Sequence, residues 1–256
     1  MLVFRRCHGV LLRTLRFLQT PPFGQLAIPF GLLVTGLIGL HVAALIAEHV
    51  FAVTAIWPSL DAWKITMDRG LGELCETAML VVTVVSLWQV AKAQGDRTIA
   101  SFAVLFAWIA ADNILSLHEQ VGDQLASLLS IDSRVGEVVG FLPFLALFLV
   151  VISRMTAADQ RKGANLFFVA AIAAVGGFAV VIDFLHGAVI GPASSLAFKG
   201  IVSLVEDGGE LLSIAAICCG ALSLRHAVVT QGAFAGEAMP AAAAAGEVFA
   251  RSSANG

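Results

Sequence analysis

Near the middle of the chain, Asp112, Ser116, Glu119 and Asp123 recur with helical periodicity, so they share one helix face. His118 sits beside that face, and the preceding run, Ile99 to Ala111, is apolar enough for lipid. An ionised group inside such a run costs about 2.5–3.5 kcal/mol to insert, so its presence signals function. Other stretches repeat the pattern. Arg69, Glu73 and Glu76 fall on one stripe, as do Ser203, Glu206, Glu210 and Ser213 with Asp207 nearby. Asp183 and His186 are three apart, and His41 and Glu48 seven apart, each pair in helical phase.

Carboxylates gathered in an apolar bundle repel one another unless a cation or a protonated histidine joins them. A divalent metal (zinc, iron or manganese) is the economical partner. Carboxylate and histidine side chains on facing helices build di-metal bundles, and three histidines with an acid suit a single catalytic zinc. The expected ligand set is Glu76, Asp112, His118, Glu119, Asp183, His186 and Glu210. Glu119 and Asp112 are the expected catalytic carboxylates, acting as general base on metal-bound water. On a continuous helix Asp112 lies about 10 Å deeper than Glu119.

The elements that must position these residues are membrane spans. Hydrophobic residues make up 59% of the 256-residue chain and charged residues 13%, about half the charge of a soluble domain. The fold class is therefore all-α, a polytopic membrane helix bundle. Six spans are predicted, at about 26–47, 71–92, 98–119, 137–154, 164–187 and 203–225. They divide the chain into a basic interfacial leader (1–22), a six-span bundle (23–228) and an Ala/Gly-rich tail (229–256) expected to be disordered. Lys and Arg concentrate in the leader, the loops near 92–97 and 154–162, and the tail. The positive-inside rule then puts both termini in the cytoplasm. Fourteen of the eighteen acids fall on the other side. The net charge of −3 gives no reason to expect nucleic acid. Membrane lipids are the expected partners, and a bacterial inner (cell) membrane the expected location. Cys7, Cys75, Cys218 and Cys219 suggest no disulfide framework.

The spans read as three helical hairpins with an internal triplication. His49, His118 and His186 end the outward spans, 69 and 68 residues apart, and the inward spans open with Gly72-Glu73, Gly136-Glu137 and Gly209-Glu210. The type of site resembles that of the membrane zinc hydrolases of the ceramidase and adiponectin-receptor class, which use three histidines and an acid in a seven-helix bundle. This chain departs from that class in its six spans and in its last span, which carries Glu206-Asp-Gly-Gly-Glu210 in place of paired histidines.

Three functions fit these residues. The first is a metal-dependent membrane enzyme, a hydrolase or di-iron oxidase, acting at the outer leaflet on a lipid or membrane-borne substrate. The second is a transporter of metal cations or protons. The third is a non-catalytic subunit or sensor with a buried ion-pair network. Transport needs polar groups on both sides of the midplane, and the inner half-spans offer few.

Overall fold

The computed structural model describes residues 12, 14–49, 51, 64–65, 70–156, 162–182 and 196–253. These residues are all-helical, without strands. In chain order the helices are α1 (Pro21–His49), α2 (Leu71–Gln94), α3 (Arg97–Leu115), α4 (Leu117–Leu129), α5 (Ser133–Gly140), α6 (Leu142–Arg154), α7 (Gly163–Gly176) and α8 (Leu196–Ser253). A π-helical segment, Gly177–Ile182, extends α7. Six stretches are long and apolar enough to cross a membrane: Pro22–Glu48, Leu71–Gln94, Arg97–Leu115, Val135–Arg154, Gly163–Ile182 and Phe198–Thr230.

Helix α8 organises the packing, lying against α1, α2 and α7 with its π extension. Its buried face, Leu211, Ile214, Ala215, Ile217, Cys218 and Ala221, joins Leu80 and Leu87 of α2 and Phe168 and Ile172 of α7 in one core. The outward faces stay apolar and exposed, as at Ile28, Val85, Leu149 and Leu212, as helices in lipid require. The backbone of α8 is helical past the last span to Ser253. Alanine, the strongest helix former, dominates that stretch.

Of the span pairs expected across the outer loops, the fifth and sixth lie together as α7 and α8, and the third and fourth touch through α3 with α6 and α4 with α5, while the first two spans have their main contacts elsewhere. Helix α2 lies against α3 and α8, and α1 lies against α8. The α2–α3 turn is short because Gly95 takes a left-handed conformation (φ 65°) and Asp96 caps α3, accepting from Thr98 N (2.9 Å) and Ile99 N (3.2 Å). Asp96 also pairs with Lys162 at 2.6 Å, tying the α2–α3 turn to the start of α7. At the same end, Phe17 packs on Phe23 and Phe167 with ring centroids 6.0 and 5.3 Å apart. That contact anchors the described part of the leader. Trp88, expected at the inner membrane interface, is exposed, with Lys92 Nζ 5.8 Å from its ring.

The largest departure lies at the opposite end. The predicted third span, 98–119, stops at Leu115, because Ser116 adopts φ 46°, ψ 47° and breaks the helix. The polar face from Asp112 to Asp123 is therefore split between α3 and α4 and is not continuous. Asp112 stands in the last turn of its span, so the 10 Å depth advantage over Glu119 does not hold. Pro143 breaks the fourth span in the same region. It has no N–H to donate to the preceding turn, and α5 gives way to α6 at Phe141.

Helices α4 and α5 form a tight pair at this end. Gly136 and Gly140, one turn apart on α5, meet Gly122 and the His118 carbonyl on α4. A Cβ at Gly122 would stand 2.6 Å from the Glu137 nitrogen, and one at Gly140 would stand 2.5 Å from the His118 oxygen. Small residues at these positions let the two backbones touch. Gly122→Val is therefore expected to lower stability by about 1–3 kcal/mol, the usual range for overpacking. Gly36→Ala, on an α1 face with nothing within 4 Å, is expected to change stability by less than about 0.5 kcal/mol. Thermal unfolding of the two variants in one detergent checks the contrast.

Candidate functional site

Asp112 and His118 form the centre of the acidic end. One Asp112 oxygen accepts from the His118 backbone N–H at 2.9 Å, and the other lies 2.7 Å from His118 Nδ1. The first contact serves an unsatisfied N–H in the first turn of α4, the task of a capping carboxylate. The second sets the imidazole. An ionised carboxylate only accepts, so Nδ1 carries the proton. The Ser116 break makes both contacts reachable, because it turns α4 back over the end of α3, where Ser116 N donates to Asp112 O at 2.6 Å. The other ring nitrogen, Nε2, lies 4.0 Å from Glu119 Oε1. Phe141 stacks on the imidazole face at 4.2 Å between centroids and 26° between planes.

His118 lies beyond the end of the third span. Burial alone pushes its imidazole toward the neutral form. The Asp112 hydrogen bond and the charges of Asp112, Glu119 and Glu137 outweigh burial, so its pKa is raised above the usual 6.5.

The dyad lines a cavity of about 680 Å³. One wall is acidic: Glu73 and Glu76 from α2, Asp112 from α3, Glu119 from α4, Glu137 from α5, and Glu206 and Glu210 from α8. Asn113 Nδ2 donates to Glu76 Oε2 at 3.3 Å, and Glu76 also feels the charges of Glu210, Asp207 and Glu73. Much of the remaining lining is apolar, with Phe141 at the α5–α6 junction, Phe144, Leu145 and Phe148 of α6, and Val180 and Val181 of the π segment. No Lys or Arg lines the cavity among the described residues.

Five of the seven expected site residues, Glu76, Asp112, His118, Glu119 and Glu210, thus line one cavity. Asp183 and His186 lie outside the described residues. His41 is buried in α1, away from the cavity. Asp112 is turned toward His118 and the α4 backbone, the position of a group that orients a ligand or base. Among the described residues, no three His, Cys, Asp or Glu side chains are placed to hold a metal ion.

The ligand set expected from the sequence leaves out Glu73, Glu137 and Glu206, which also line the cavity, as does the Phe-rich face of α6. A signal for two of these was present in the Gly-Glu pairs. Glu73, Glu137 and Glu210 all line the cavity, and each preceding glycine is a close approach: Gly72 on Ile65, Gly136 on Gly122 and Gly209 on the Phe178 ring. The pairs nevertheless sit in different settings. The first opens α2, the second lies inside short α5 and the third in the interior of α8.

Residues 32–224 match a family described as a domain of unknown function, DUF8692. The chain belongs to that family. The matched region runs from within α1 to within α8 and contains every described residue lining the cavity. No curated protein and no solved structure matches the chain.

Asp112→Asn is expected to bring the His118 pKa down, since it removes both the charge and the hydrogen bond that raise it. The sign for stability follows. Protonated His118 stabilises the fold below the unfolded pKa of about 6.5, and that stabilisation is lost as pH rises through the higher folded value. NMR titration of isotopically labelled histidine in both proteins checks the shift.

Proposed function

We propose that this membrane protein is an acid–base enzyme of the outer leaflet, with His118 as the proton-transferring group and a lipid or other membrane-borne molecule as substrate. The observation that supports it is the Asp112–His118 pair beside a cavity large enough for part of a substrate. A histidine whose Nδ1–H is held by a carboxylate presents a basic Nε2 and is stabilised when it takes up a proton, the division of roles found in hydrolytic dyads and triads. Glu119 Oε1 is 4.0 Å from Nε2, outside direct hydrogen-bond range, and would exchange that proton through a bridging water. The bundle would sit in the inner (cell) membrane with both termini cytoplasmic, as the loop charges suggest.

A metal-dependent version of the same enzyme is the second reading. A carboxylate on one ring nitrogen of histidine is the usual support for a metal on the other. Glu119 and the acids of α2 and α8 would supply oxygen ligands. Asp183 and His186 follow the π segment directly in sequence and complete the expected ligand set. Transport is less well supported. Three buried hydroxyls of α2 and α8 are spent on their own helices: Thr83 donates to Met79 O at 2.8 Å, Ser213 to Gly209 O at 2.7 Å and Ser223 to Cys219 O at 2.7 Å.

The test is turnover of a panel of lipid classes in proteoliposomes, followed by mass spectrometry with and without added zinc, iron or manganese. His118→Asn is expected to lower turnover by about 10²–10⁴-fold, the usual contribution of a positioned acid or base. Asp112→Asn should move the rising limb of the pH–rate profile to lower pH, and wild-type turnover by His118→Asn overturns the proposal. Elemental analysis of the gently purified protein separates the two readings: one or two tightly held ions per chain favour the metal-dependent enzyme, and none favours the dyad acting alone.

A further inference from the structure

The cavity that His118 lines holds more than a proton-transfer site needs, and its two walls differ in chemistry. Its volume of about 680 Å³ falls in the range of small-molecule sites, roughly 300–1,000 Å³, and far exceeds the space for a single ion. The acidic wall draws carboxylates from α2, α3, α4, α5 and α8, with no Lys or Arg among the described lining residues. A phosphate, sulfate or carboxylate head would meet like charge there, whereas an ammonium head would meet complementary charge. The lining that α6 contributes, with Phe144, Leu145 and Phe148, offers no hydrogen-bonding side chain and suits a hydrocarbon chain.

The packing also leaves a side entrance. Helix α6 lies against α3 and α5, while α7 and the π segment lie against α8. The described residues show no comparable α6–α7 contact between these two groups. Leu142 and Leu145 of α6 and Val181 of the π segment line the cavity, yet they are 52%, 47% and 55% exposed. That matches lipid-facing Val85 and Leu149 at 49% and 55%. The cavity is therefore continuous with the surface that meets the hydrocarbon of the bilayer.

We propose that the cavity takes a cationic amphiphile, an ammonium head on a long hydrocarbon chain, which enters sideways from the outer leaflet between α6 and the π segment. The head lies among Glu76, Glu210 and their neighbouring acids, and the chain lies along Phe144, Leu145 and Phe148. This rests on the acid–base reading only for the identity of the cavity, since binding does not require turnover.

The test uses the full chain in phosphatidylcholine nanodiscs, with Trp57, Trp63 and Trp88 replaced by Phe. Trp108, which lines the cavity, then reports alone. The probe is a long-chain primary amine with bromine on the chain, which quenches tryptophan on contact. Brominated alcohol and sulfate of the same chain length, ethylamine as competitor and manganese chloride complete the set. Saturable quenching by the amine is expected, at least tenfold weaker with the alcohol and absent with the sulfate. Competition by ethylamine should be at least tenfold weaker than by the unbrominated long-chain amine. Glu76→Gln with Glu210→Gln should weaken amine binding at least tenfold. The comparison of head groups on unsubstituted acids stands even if that double variant does not fold. Equal quenching by the alcohol, or displacement by manganese or ethylamine as potent as by the long amine, overturns the proposal. If amine binding fails while His118 still titrates above 6.5 and turnover still needs it, the acid–base reading survives and this inference does not.

Discussion

The acidic end of the molecule depends on one carboxylate meeting two donors of the same residue. Asp112 takes the backbone N–H and the ring N–H of His118 together. One contact starts α4 and the other orients the imidazole. Neither is reachable along a straight helix, because residues six apart face different directions. The strained backbone at Ser116 creates the geometry. A left-handed conformation in a non-glycine residue costs of order 1–3 kcal/mol and persists only where the surroundings hold it. Here the Asp112 contacts and the glycine-tight packing of α5 on α4 hold it.

This arrangement explains how so many acids occupy one end of an apolar bundle. Glu76 is hydrogen-bonded by Asn113, Asp112 is satisfied by His118, and Glu48 pairs with Lys64 at 2.7 Å. The carboxylates reach the cavity from five helices, so no single helix inserts a long run of charge into the membrane. The Gly-Glu pairs do this economically. The glycine lets a neighbouring segment close in, and the glutamate beside it lines the cavity.

Much of this was legible from residue types. Long uncharged apolar runs disclose the six spans, since a helix is the cheapest way to satisfy a backbone in lipid. Acids inside or beside those runs lead to the cavity, since five of the seven selected residues line it. The break at Ser116 was hidden. Serine carries no local requirement for positive φ, and helical periodicity continues through it in the sequence. The break depends on tertiary contacts with α5, which no window along the chain contains. On an unbroken helix Asp112 reads as a deep ligand, whereas at the break both of its oxygens meet His118. The phenylalanines of α6 carry no such signal, because an apolar face in a sequence cannot reveal whether it meets protein, lipid or a cavity.

The one-sided distribution of polar groups favours chemistry over passage. A transport path would have to cross the inner half of the bundle, where the core contains Leu87, Val90, Phe102 and Phe168 and three buried hydroxyls of α2 and α8 donate to their own helices. Moving a charge past those side chains requires either their rearrangement or a second set of polar groups. The cavity needs neither to exchange contents with the outer leaflet, because its apolar wall is continuous with the lipid-facing surface. On the enzyme reading proposed above, a substrate entering from the side would meet the acids and His118 without leaving the membrane. It would also meet a histidine already oriented by Asp112, so the reaction itself need not include the cost of ordering that group. Pre-ordering has a local cost, the strained serine at the helix break.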